Sequence, residues 1–303
     1  MVGRDPNSSH LRSTVLPRQD LMSLVIAVVN QKGGVGKTTT SVNLAASLAA
    51  SEQRVLLVDL DPQGNASSGL GVRRDEANPL PTVYHALLGE HDARTALRHT
   101  EVENLKLIPS DGDLVGAELE LVQAESRESR LRLALQPVRG EYDYILIDCA
   151  PSLGLLTINA LVAADRVLVP LQCEYYALEG LGALLRTIEL VRARLNRDLL
   201  LDGVVLTMFD TRNNLARQVA HDVQGHLPGQ VYETVIPRNV RLSEAPSHGK
   251  PVMLYDIESK GAQSYLALAA ELLGRHEKER HEHERHEKAR GPGGKEGKEG
   301  KGA

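Results

Sequence analysis

The stretch Lys32-Gly33-Gly34-Val35-Gly36-Lys37-Thr38-Thr39 constrains this chain more than any other. It follows an aliphatic run, Leu24 to Asn30, and opens a helical pattern, Lys37 to Ser51. Glycines at a strand-to-helix turn let the backbone curl, so that successive N–H groups converge on an anion. The helix start adds its positive end. Lys37 then places a cation on the β- and γ-phosphates of a nucleotide, and the Thr38 hydroxyl is placed to ligate Mg²⁺. An ordinary Gly-rich turn rarely carries both lysines and a threonine in frame. The stretch predicts a phosphate loop.

The rest of the chain fits that expectation. Arg54 to Asp59, Leu105 to Pro109, Tyr144 to Asp148, Arg166 to Pro170 and Val204 to Thr207 read as strands. Helical patterns lie between them, notably Leu153 to Ala164, Leu178 to Leu195 and Asn214 to His226. Strands alternating with helices predict a doubly wound, mostly parallel α/β sheet with helices on both faces. The composition agrees: 42% of residues are hydrophobic but only 3% aromatic, so the core is aliphatic, as in buried parallel strands. Val231 to Ile236 reads as a late strand, and Gln263 to Gly274 as the last packed helix.

Three regions are expected. Residues 1–23 read as a disordered lead, with either Met22 the expected natural start or the segment a dispensable extension. Residues 24–274 form the folded domain. Residues 275–303 form a charged low-complexity tail, because a segment without apolar residues cannot offset its ordering entropy. The tail is expected to be disordered or a solvated helix extension. His276, His281, His283 and His286 crowd it without a zinc-type spacing, so any metal affinity there is expected to be weak.

Other function classes fare worse. Two cysteines, Cys149 and Cys173, make no disulfide framework. No apolar stretch is long enough for a membrane span, and the N-terminus lacks a signal-peptide core. A cytoplasmic address is the expectation. The net charge of -5 argues against a generally basic nucleic-acid binder, though not against a local basic face.

Two further segments belong with the loop. Asp59 and Asp61 stand at the C-terminal end of the second strand, where open α/β sheets bind ligands. Asp-Pro-Gln-Gly chemistry there also suits a plain turn. Tyr144-Ile145-Leu146-Ile147-Asp148 is an apolar strand that delivers Asp148 to a Mg²⁺ coordination sphere through water. Thr207-Met208-Phe209-Asp210 lacks the lysine of a guanine-reading motif, so guanine specificity is not expected.

The loop departs from the common phosphate-loop pattern, which needs glycine where Gln31 stands, and carries the additional Lys32. In this it resembles the deviant Walker A family, which includes ParA/Soj partition proteins, MinD, the nitrogenase iron protein and arsenite-pump ATPases. The segment from Val235 to Pro251, with Pro237-Arg238-Asn239-Val240-Arg241-Leu242-Ser243-Glu244-Ala245-Pro246, resembles the ParA/Soj branch. The likeness spans about Leu24 to Gly274.

The resemblance implies ATP and Mg²⁺ as cofactors, bound by Lys32, Gly33, Gly34, Val35, Gly36, Lys37, Thr38 and Thr39. It implies that Lys32 reaches the partner subunit's nucleotide in a sandwich homodimer, that Asp61 positions the attacking water, and that Asp59 supports the metal shell with Thr38 and Asp148. Pro237 and Asn239 would lie beside the adenine. Arg212 and Arg241 would hold DNA without sequence preference, with Arg217, Arg238 and Lys250 extending the patch. Alternatively, these arginines pair with neighbours such as Glu244 or Asp222. A ParB/Spo0J partner would stimulate hydrolysis. Neither a Ras-like glutamine nor an arginine finger is evident in the switch segments, so unstimulated turnover is expected to be slow. Chromosome or plasmid segregation, with nucleoid association, is the implied role. A MinD-like membrane cycler is the rival, but residues 276–290 offer no apolar face for a bilayer. An iron-protein role fails on the positions of the two cysteines.

Overall fold

In the computed structural model the aliphatic runs become strands β1 (Leu24–Val28), β2 (Val55–Leu60), β3 (Arg98–His99), β4 (Leu105–Ile108), β5 (Tyr144–Cys149), β6 (Arg166–Gln172) and β7 (Leu200–Thr207). The structure describes residues 23–290 apart from 76 and 78. The expectations for residues 1–22 and 291–303 lie outside the described residues, as do the side chains of His283 and His286.

One sheet forms in the order β3-β4-β2-β5-β1-β6-β7. Every pairing is parallel except β3 with β4, a two-residue antiparallel edge that no sequence signal announces. The strand faces sort by alternation. Val25, Ala27, Ile145 and Ile147 enter one core, while Ile26, Val28, Tyr144 and Leu146 enter the other. A strand buried on both faces must be apolar at every position, which is why β1 and β5 stand out as continuous runs. Helices Leu155–Ala163, Ala177–Arg194 and Asn214–His226 cover the first face, with the shorter Val83–Leu88, Leu114–Leu121 and Arg130–Leu135. Lys37–Ala50 and Lys260–Arg290 cover the second. The sheet is thus doubly wound, with β1 between β5 and β6 at the crossover point where such sheets bind ligands.

Two segments depart from the sequence reading. Val231 to Ile236 is not a strand. It bonds β7 intermittently, through Tyr232 N to Val204 O at 2.9 Å and Ile236 N to Leu206 O at 2.8 Å. Between these points the Glu233 and Thr234 amides donate instead to the Glu271 carboxylate, both at 2.9 Å, so the ladder is interrupted by the last helix.

That helix also runs on past Gly274 without a break, to Arg290. Its first residues beyond Gly274 are not solvated. His276 is buried, with Nε2 2.6 Å from Asp202 Oδ1 and Nδ1 3.3 Å from the Tyr144 hydroxyl. The Arg275 guanidinium lies 4.0 Å above the Tyr232 ring, and Glu279 pairs with Arg166. These polar side chains can pack because the strand ends they meet offer Asp202, Tyr232 and Arg166 as partners.

Candidate nucleotide site

Two glycines shape the turn between β1 and helix Lys37–Ala50. Gly34 and Gly36 have φ of 73° and 85°, in the left-handed region where a side chain is strained. Gly36 caps the helix, and Thr40 N donates to its carbonyl at 2.8 Å. The turn is braced from neighbouring strands. Asn30 Nδ2 donates to Pro170 O at 2.8 Å, and Thr207 Oγ1 donates to Val35 O at 2.8 Å. Lys37 is buried and its Nζ donates to Lys32 O at 3.0 Å, folding back across the loop. Burial pushes the Lys37 ammonium down from its ordinary value, and the charges of Asp148 and Asp61 oppose that shift. Lys32 points outward and pairs with Glu174, which follows β6.

The two strand-end carboxylates lie side by side under the loop. Asp59 is held on three bonds: Ser67 N at 2.8 Å and Ser67 Oγ at 2.7 Å to Oδ2, and Asp61 N at 3.2 Å to Oδ1. Asp148 Oδ1 accepts from Ser41 Oγ at 2.7 Å, while its buried Oδ2 has no partner within hydrogen-bond geometry, and the Thr38 hydroxyl beside the carboxylate adds to Ser41 in favouring its charge. Burial pushes both carboxyls up, and for Asp148 the charge of Asp59 adds to the effect. A buried, unpartnered carboxylate oxygen beside a cation-hungry pair fits a divalent ion with its water shell. Asp61, immediately after β2, is also buried, with Oδ1 accepting from Gln63 N at 3.0 Å.

A cleft of about 210 Å³ opens beside the loop, lined by Gly36, Thr39, Met208, Pro237, Asn239 and Tyr265 among others. Its wall is a strand-end crossing: Phe209 N donates to Ile236 O at 3.0 Å, and Phe209 and Pro237 form a parallel bridge. Asn239 caps helix Val240–Glu244 by accepting from Arg241 N at 3.0 Å. The loop, the two aspartates and this flat cleft converge on one end of the sheet, a volume able to hold phosphates, a cation and a base.

Comparisons with known proteins agree with that geometry. Residues 23–201 match the family model described as AAA domain. The chromosome partitioning protein ParA of Myxococcus xanthus is 60% identical over 251 residues, 83% of this chain and 88% of that protein. The chain belongs to the ParA/Soj family. The sporulation initiation inhibitor protein Soj of Bacillus subtilis is 59% identical over 83% of this chain and 98% of its own length. Among solved structures, a cobyrinic acid a,c-diamide synthase from Mycobacterium smegmatis with bound ADP and magnesium has a TM-score of 0.74 and 42% identity, covering 85% of this chain and 96% of that one. The cell division ATPase MinD of Pyrococcus furiosus has a TM-score of 0.67 and 28% identity, covering 84% and 99%.

In this ParA/Soj chain both arginines expected on DNA are exposed and carboxylate-paired. Arg212 grips Asp210 through two bonds, at 3.0 and 2.9 Å, and that contact pulls the Asp210 carboxyl down to about 2. Arg241 lies 2.8 Å from Glu244 and 3.0 Å from Asp256. The pairing with Glu244 matches one alternative in the sequence reading, whereas Arg212 takes Asp210 and not Asp222. Arg217 bonds Asn214, Lys250 lies 3.3 Å from Glu101, and Arg238 lines the cleft.

Sequence reasoning passed over the residues that hold the aspartates. Ser41 stands one helical turn after Lys37 and so faces the same side, a spacing that marks it in hindsight. Ser67, which holds Asp59, carries no such mark, nor does Glu174, the partner of Lys32.

Among the described residues no helix is long and apolar enough to cross a membrane.

Proposed function

We propose that the chain is an ATP-dependent DNA-partitioning ATPase whose ATP-bound homodimer holds DNA. The observation that carries the reading is Asp148 Oδ2, buried and unpartnered directly beneath the phosphate loop. Lys37 and the loop amides would hold the phosphates, and Thr38 and Asp148 would hold Mg²⁺, with Asp59 supporting them from behind. Mg²⁺ held there would neutralise phosphate charge. Pro237 and Asn239 flank the base in the cleft. Asp61 orients the attacking water.

Lys32 leaves Glu174 and crosses to the nucleotide of the second subunit. ATP thereby shifts a monomer–dimer equilibrium, and DNA affinity follows the dimer population. Arg212 and Arg241 exchange their carboxylate partners for DNA phosphates. Exposed ion pairs contribute little, so the exchange is inexpensive. A ParB/Spo0J-type partner accelerates hydrolysis and returns the monomer. The setting is the nucleoid, and the outcome is segregation of a chromosome or plasmid.

Phosphate release by the purified chain with Mg-ATP tests this, measured alone, with DNA, and with DNA plus a ParB-type protein. Slow turnover that rises in the last condition is expected. No release under any condition would overturn the reading.

A further inference from the structure

Helix Leu114–Leu121 is apolar on two sides. Its inner side, Leu114, Ala117 and Leu121, is fully buried against the sheet. Its outer side presents Val115, Leu119 and, at the C-cap, Val122, which are 63%, 78% and 54% exposed. These three follow i, i+4, i+7 spacing and so share one stripe. A helix with apolar residues all round is normally buried, and contiguous exposed apolar surface marks an interaction site.

The charge around the stripe indicates its occupant. From Asp111 to Glu128 the chain has six carboxylates, Asp111, Asp113, Glu118, Glu120, Glu125 and Glu128, against one arginine, Arg127, which donates to Val122 O at 3.1 Å and pairs with Glu128. Arg74 reaches the first two. Glu118 and Glu120 flank the stripe on the helix itself, Glu120 accepting only from the neutral Tyr84 hydroxyl at 2.9 Å. We propose that Val115, Leu119 and Val122 form the docking surface for a basic amphipathic helix of a partner protein. Its apolar residues cover the stripe and its lysines or arginines meet Glu118, Glu120 and Glu125.

The position of the surface gives the docking a consequence. Glu118 Oε1 accepts from Leu156 N at 3.4 Å, at the start of the helix that follows Asp148 and the Pro151–Gly154 turn. A Cβ at Gly154 would press on the Glu118 carboxylate and make that flexible side chain swing aside. An occupant of the stripe therefore touches a helix bonded to the segment leading from the metal-facing strand. This names a site for the activating partner, and in that respect it rests on the function proposed above.

The test uses a fluorescent synthetic helix of about 18 residues, five turns, with leucines at i, i+4 and i+7 spacing and flanking arginines. A second peptide has the arginines replaced by glutamates. Anisotropy is read with the full chain in Mg-ATP, alongside sedimentation of the protein alone. Leu119 is on the surface, so Leu119→Asp is expected to melt as the parent does. The parent chain is expected to bind the basic peptide, and the acidic peptide at least about tenfold more weakly. Leu119→Asp and Val115→Asp are each expected to weaken the basic peptide about tenfold or more while dimerising normally. Undiminished peptide binding in both variants would overturn the proposal, as would equal binding of the two peptides or no binding by the parent. Loss of dimerisation in Leu119→Asp would also overturn it, by assigning the stripe to a second copy. Peptide binding is read without turnover, so failure of the ATPase reading would appear separately, as absent phosphate release with docking intact.

Discussion

Asp59 on β2 and Asp148 on β5 are register partners across the parallel pairing of the two strands, and neither has exposed surface. Two carboxylates buried side by side are costly unless a cation accompanies them. Lys37 supplies part of the compensation, since its charge couples to Asp148 and Asp61. The unpartnered Oδ2 of Asp148 is where a divalent ion would supply the rest. Elsewhere in the fold such a pair would be a liability, whereas under a phosphate loop it would suit a cation.

Lys37→Ala removes the only buried lysine in the loop. Charge-assisted bonds to phosphate are among the stronger ones. ATP affinity by calorimetry is expected to fall about a hundredfold or more. Retained tight binding would reject the assignment of the loop.

Asp61→Ala leaves the loop and both strand-end carboxylates in place. Nucleotide binding is expected to persist while phosphate release falls about 10²- to 10⁴-fold, the usual contribution of a positioned base. The variant should accumulate as a DNA-bound dimer with ATP. Hydrolysis at the parent rate would remove Asp61 from the mechanism.

Arg241→Glu replaces an exposed residue paired with the half-buried carboxylates of Glu244 and Asp256. The melting temperature should barely move, because such pairs contribute little. Dimerisation should survive. DNA affinity should drop, and the slope of log affinity against log salt should shrink by about one contact. An unchanged salt slope would dissociate Arg241 from DNA.

His276→Ala breaks a buried network, leaving Asp202 with Tyr232 and Arg166. Burial alone would push the Asp202 carboxyl up, but its bonds to His276 and Tyr232 and the nearby Arg166 outweigh it and hold it below the ordinary value. A carboxyl lower in the folded chain than in the unfolded one favours folding at neutral pH. That contribution is lost as pH falls through and below the ordinary carboxylate range. Urea melts of His276→Ala at neutral pH are expected to show a loss of about 1–3 kcal/mol. Asp202→Asn should flatten the acid limb of the stability profile; an unaltered limb would show that Asp202 does not contribute to it.

Much of this was legible in sequence, for identifiable reasons. β1, and β5 up to Asp148, read as continuous apolar runs because both faces are covered, and helix Asn214–His226 falls where its spacing predicts. The phosphate loop announces itself through glycines that only a left-handed turn requires. Periodicity says nothing of partners far along the chain, so the pairing of Lys32 with Glu174, 142 residues apart, was invisible. Between β2 and β5 the α-helices are five to eight residues long, too short for a periodic signal. His276 was hidden by composition: a run of His, Glu, Lys and Arg reads as solvated, although Asp202 and Tyr144 wait for its first turn. The late strand failed because Glu271, on a different element, takes the amides that a ladder would have used.

Under the proposed function ATP gates DNA binding. The most direct test is the affinity of the purified chain for double-stranded DNA of unrelated sequences with ATP, with ADP and without nucleotide, at two salt concentrations. Binding only with ATP, indifferent to sequence and weakened by salt, is the predicted result. Equal affinity in all three nucleotide conditions, or no binding in any, would contradict it.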